Sequence, residues 1–149
     1  MQFKNPEFIV LMMFIIGGIY FTSCKNKGTT IVEDEIPLYD TKEFRAFYDR
    51  FGTDSVYQMQ HIVFPLQGIK ALTDSLDRPD PNFKWQESTW KIHGAFDDMN
   101  GLFGREFISM KGIVIEKITD KSGTFSMERR FGHLSSGWNL IYYREMGKY

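Results

Sequence analysis

The sequence predicts an α+β domain in which two or three N-terminal helices pack on a curved antiparallel sheet. Three observations carry this. Aromatic residues recur at helical spacing early in the domain. Four segments of the last third alternate apolar and polar side chains. Turn-forming residues separate those segments, as hairpins require.

The first helix opens at Thr41, a good N-cap, and Glu43 adds negative charge to its first turn. Phe44, Phe47, Tyr48 and Phe51 then fall at i, i+3, i+4 and i+7, one apolar face, with Arg45, Asp49 and Arg50 elsewhere on the circumference. Gly52 is expected to end this helix. Asp54 is expected to cap a second, short one reaching about Gln60 and burying Val56 and Met59. Ile62 to Leu66 reads as a strand, with Gly68 to Thr73 as its continuation. Pro65 cannot donate to a ladder, which predicts an edge or a break there. Asp74 to Asn82, with Pro79 and Pro81, reads as an exposed loop. Phe83 to Trp85 reads as a short strand. Ser88 is expected to cap a short helix carrying Trp90, Ile92 and His93. Asp97 to Gly104 reads as irregular.

Arg105 to Met110, Ile113 to Thr119, Thr124 to Phe131 and Trp138 to Met146 are the predicted strands. Asp120 to Gly123 and Gly132 to Gly137 are their hairpin turns. In the last strand Trp138, Leu140 and Tyr142 are placed on one face, and Asn139, Ile141 and Tyr143 on the other. One apolar face and one mixed face suit a sheet solvated on one side.

Cys24 is the only cysteine of the 149 residues and directly follows an apolar run, Phe8 to Phe21. A run of about 14 residues suits a signal segment and is too short to span a bilayer as a helix. Lys4 and the free amine supply its positive end. Phe21-Thr22-Ser23-Cys24 resembles a bacterial lipobox, in the looser form of the Bacteroidetes. The resemblance implies that residues 1–23 are a signal peptide and that Cys24 is the lipidated first residue of the mature chain. A lone cysteine, unable to form an internal disulfide in an oxidising compartment, fits a modification that consumes it. Two acyl chains would anchor the protein stably to a membrane without spanning it. Residues 24–40 read as a polar tether with a reach of about 50 Å, and 41–149 as a single domain. The acids Glu33 to Glu35 come well after Cys24, which favours the outer membrane and a periplasm-facing position. Removing residues 1–23 from the 149 leaves 126, enough for one sound core. It takes away one base, Lys4, and one acid, Glu7, so the net charge stays at −1. With no basic block, nothing points to nucleic acid.

Two helices, a strand, a helix and a four-strand meander ending Gly137-Trp138-Asn139-Leu140 resemble the nuclear transport factor 2-like, cystatin-like cone. Within it, the aromatic helix, Asp54, Tyr57-Gln58, His61-Ile62 and Phe64-Pro65-Leu66 resemble an uncharacterised Bacteroidetes lipoprotein family, the domain of unknown function 4348. The resemblance spans roughly residues 40 to 146. It implies a fold and a location, and it carries no catalytic residues.

The chemistry is sparse. His61, His93 and His133 are far apart and have no second ligand at metal spacing. Asp97 to Gly101 lacks the alternate ligands and the bidentate Glu of a calcium loop. Phosphate-loop, dinucleotide and nucleophile-elbow motifs are missing, so no cofactor is expected. A cone of this kind can enclose a pocket, and Tyr57, Trp85, Trp90, Trp138 and Tyr142 are the candidate walls. The leading expectation is a non-catalytic module for a small apolar ligand or an envelope protein partner. The alternative is a small isomerase or dehydratase, which needs a buried carboxylate or His against a Tyr, with Asp98, His93 and Tyr142 as candidates. A third reading is a structural subunit with a filled cone.

Overall fold

The Phe stripe forms the helix it predicts. In the computed structural model, which describes residues 36–72 and 78–149, α1 runs over Lys42–Thr53. The Thr41 side chain accepts the Phe44 amide at 3.3 Å. Phe44, Phe47 and Phe51 are buried, and all three meet Phe131 edge-on at centroid distances of 5.8, 5.6 and 5.5 Å. The expected signal peptide, Cys24 and the tether as far as residue 35 lie outside the described residues. So do residues 73–77 of the proline-containing loop. Leu38 and Tyr39 already pack against the core, ahead of Thr41.

Gly52 does not end α1. It lies inside the helix, where a Cβ would come within 3.1 Å of the Ala95 Cα, so its role is close packing against a crossing segment. Asp54 caps α2 (Ser55–Gln60) by accepting the Tyr57 amide at 2.9 Å. The buried face of α2 is not the expected one: Val56 is 66% exposed, and Gln58 is fully buried. In a helix this short, the buried face follows the partners that neighbouring backbone groups require.

The strands are β1 (Ile62–Ile69), β2 (Lys84–Trp85), β3 (Phe103–Met110), β4 (Ile113–Asp120), β5 (Ser126–Leu134) and β6 (Gly137–Gly147). They form one sheet in the order β2-β1-β6-β5-β4-β3. All neighbours are antiparallel except β1 and β6, so the sheet is mixed. β1 is not an edge strand: β2 pairs with its Leu66 and Gln67 on the outer side. Pro65, preceded by a cis bond, falls where the β1–β6 register shifts between Ile62 and Gln67, so its missing N–H interrupts no continuous ladder. β5 runs on to Leu134, and the predicted six-residue turn shrinks to Ser135-Ser136.

β6 carries the correction with the largest consequence. Phe131 pairs with Leu140, but Arg130 pairs with Tyr142, so Ile141 is an extra residue. A bulge of this kind reverses the alternation beyond it. Trp138 and Leu140 face the helices as expected. Past the bulge it is Tyr143, paired with Arg129, that takes the inner face, and Tyr142 turns outward.

No helix forms at Ser88. A single 3₁₀ turn covers Glu87–Thr89, and residues 90–98 are irregular. Among the described residues, no helix is long and apolar enough to cross a membrane.

Candidate functional site

The site begins with Gln58. Its amide nitrogen donates to the Phe51 and His93 carbonyls, each at 2.7 Å. Its amide oxygen accepts the His93 amide at 2.8 Å and the Trp90 indole at 3.3 Å. One buried side chain therefore does for residues 90–93 what a helix would have done, satisfying backbone groups that would otherwise be lost to a buried environment. It holds that segment across the inner face of the sheet.

Beneath the segment lies a cavity of about 510 Å³, lined by Phe83, Trp85, Trp90, His93 and Tyr143, with Lys70, Lys91 and Glu145 also on its wall. The Trp85 and Trp90 rings meet at 84°, and Trp90 meets Tyr143 at 78° with 5.4 Å between centroids. Phe83 closes on Trp85 at 4.8 Å. Trp85 is fixed by its indole N–H, which donates to the Tyr143 carbonyl at 3.0 Å. That contact requires Gly68: a Cβ there would fall 1.9 Å from the Tyr143 carbonyl oxygen and 2.7 Å from the Trp85 Nε1. The rings pack edge against face, so they form a continuous apolar wall.

His93 stands 4.6 Å from both the Trp90 and the Tyr143 rings. Burial, and then the nearby Arg129 charge, push its pKa down to about 3, so the imidazole is neutral at physiological pH. Its Nδ1 is buried without a hydrogen-bond partner. Burial likewise pushes the Tyr143 phenol up to about 12. It stays protonated.

A second polar cluster sits on the same face. Glu116 and Arg129 are direct cross-strand partners, and both are buried. Arg129 Nε donates to one Glu116 oxygen at 2.6 Å, and the Tyr48 hydroxyl donates to the other. Arg129 Nη2 donates to the Tyr48 oxygen at 3.2 Å, and Arg105 Nη1 reaches it at 3.4 Å. Burial raises the Tyr48 pKa to about 12. This is the buried carboxylate–tyrosine pair that isomerase chemistry needs, but both Glu116 oxygens are already engaged and Glu116 is fully buried. Its geometry is that of a buried ion pair.

Of the residues singled out in the sequence, Trp85 and Trp90 come together in the aromatic cavity. Tyr57 lies elsewhere, stacked on His61 at 3.7 Å under the Arg50 guanidinium. Trp138 is a core residue against Phe44, at 5.0 Å. Tyr142 faces outward beneath Arg130, at 4.3 Å. Asp98 is exposed, so Asp98, His93 and Tyr142 are not brought together. Sequence reasoning missed Gln58, Tyr143, Glu116 and Arg129. Among the described residues, no three His, Cys, Asp or Glu side chains converge as a metal set.

No family model matches the chain, and no curated protein does. Among solved structures it is similar to a nuclear transport factor 2-like protein from Bacteroides fragilis NCTC 9343, with a TM-score of 0.48 and 18% identity. The match covers 70% of this chain and 47% of that one, so this chain spans about half the length of the structure it resembles.

Proposed function

We propose that this protein is a lipid-anchored module of the bacterial envelope that binds a small apolar ligand and carries out no chemistry on it. The observation that supports the binding reading is the cavity of about 510 Å³ walled by Trp85, Trp90 and Tyr143. Its volume lies within the roughly 300 to 1,000 Å³ of small-molecule sites, and its aromatic wall is rimmed by Lys70, Lys91 and Glu145. The imidazole beside it is a poor general base, because a pKa of about 3 is far below the operating pH. The carboxylate on its wall, Glu145, turns one oxygen to the Ala71 amide at 2.9 Å.

Titration of the full chain with 1-naphthalenemethanol, followed by tryptophan fluorescence, tests the reading. Saturable quenching is expected, with a weaker Kd for Trp90→Ala. Absence of saturation up to the solubility of the probe would end it. The anchor is tested separately. The wild-type protein is expected in the detergent phase of a cloud-point extraction, and Cys24→Ser in the aqueous phase. Equal partition of the two would remove the lipid from the proposal.

A further inference from the structure

We propose that the ligand is an apolar monocarboxylic acid whose carboxylate is received by Arg129 and Tyr143, in the cleft that adjoins the aromatic cavity. This rests on the binding reading and adds the chemical class. His93 and Tyr143 line both the aromatic cavity and a neighbouring cleft of about 310 Å³. The cleft is floored by Phe103, Ile118, Met127 and Met146, and Arg129 stands in its wall. His93 and Tyr143, their rings 4.6 Å apart, form the wall the two spaces share, and a ligand passing beside it would lie against the indoles and end beside a guanidinium.

Two side-chain donors, a guanidinium and a phenol, stand on the cleft wall. Arg129 commits Nε to Glu116 and Nη2 to Tyr48, and Nη1 makes no hydrogen bond with a described residue. The Tyr143 phenol likewise bonds no described residue; the bond from Trp85 goes to its main-chain oxygen. Arg129 and Tyr143 are direct cross-strand partners on the same face, which brings the two residues side by side. Two donors match the two oxygens of a carboxylate, and charge-assisted bonds from a guanidinium are among the strongest available. Arg129 pairs with the Glu116 carboxylate, and Arg105, which bonds the Tyr48 hydroxyl, adds one further positive charge to the cluster. Glu145, on the wall of the aromatic cavity, turns one oxygen to the Ala71 amide. Asp97, the acid on the cleft, is exposed, and its side chain is turned to the Met99 amide at 2.8 Å. A protonated imidazole is not needed: neutral His93 lines both spaces as a flat ring.

The test compares 1-naphthoate with 1-naphthalenemethanol, the same ring system with and without the charge, by calorimetry on the full chain. Naphthoate is expected to bind at least about tenfold more tightly, a preference that falls as salt is added. The ratio of the two affinities should collapse towards one in the double variant Glu116→Leu with Arg129→Met, which removes both charges and so leaves no unpaired buried charge. Should that variant not fold, Tyr143→Phe removes only one donor and should cut the ratio about threefold. A wild-type ratio near one, or a tenfold ratio that survives these substitutions, overturns the carboxylate assignment while the binding reading stands. Binding of neither probe overturns both.

Discussion

Replacing Gln58 by Leu should detach the segment over the cavity and cost stability in proportion to four bonds. The wild-type side chain serves the Phe51 carbonyl, the His93 carbonyl, the His93 amide and the Trp90 indole from a fully buried position. Each such bond contributes about 1 kcal/mol net. Leucine is close in volume, so little cavity cost adds to this. Residues 91 and 92 are exposed, so water can recover part of the loss for the two His93 groups. The expected destabilisation is about 2 to 4 kcal/mol, with the indole and the Phe51 carbonyl carrying most of it. For a domain of this size that lowers the Tm by about 8 to 20 °C. Urea unfolding gives the free energy, and amide exchange at His93 reports the segment itself, where protection should disappear. A loss below about 0.5 kcal/mol, or unchanged exchange at His93, would refute the assignment of Gln58 as its anchor.

Other predictions bear on the core and on pH. Glu116→Gln leaves the Arg129 charge uncompensated and should cost about 3 to 5 kcal/mol in denaturant unfolding, whereas Glu116→Leu with Arg129→Met should come within about 1 kcal/mol of wild type. Gly68→Ala places a Cβ 1.9 Å from the Tyr143 carbonyl oxygen, so it should separate β1 from β6 and lower the yield of folded protein more than any other single change described above. The neutral form of His93 is favoured in the folded state, which therefore binds fewer protons than the unfolded chain between about pH 3 and the ordinary histidine value near 6.5. Its contribution is complete above that window and is lost as pH falls through it. A His93→Asn variant should show a flatter stability profile between about pH 6.5 and 4.5, above the carboxylate range, and a profile parallel to wild type would contradict the burial of the ring.

What was legible in the sequence is what is local. The caps at Thr41 and Asp54 and the Phe44–Phe51 stripe are decided within one or two turns of chain, and the strand alternations by adjacent residues. The bulge at Ile141 is decided by register against β5, and nothing within 138–146 announces it, so Tyr142 and Tyr143 exchanged faces. Gln58 reads as a solvated helix residue until the crossing segment is known, although it follows Phe51 by seven, a position where the stripe would continue. Glu116 and Arg129 left a clearer trace. Glu116 shares the parity of Val114 and Ile118, and Arg129 that of Met127 and Phe131. Opposite charges at apolar positions of consecutive strands signal a buried pair.

The extra residue at Ile141 divides the inner face into two territories with separate obligations. On one side of it Trp138 and Leu140 belong to the packed centre under α1, where a change of volume is felt throughout the domain. On the other, Tyr143 belongs to the same buried core but also borders the cavity, with the Trp85, Trp90 and His93 rings against it. Tyr143 therefore ties the cavity wall to the packed centre, and the freedom to change the guest falls to Phe83, Trp85 and Trp90.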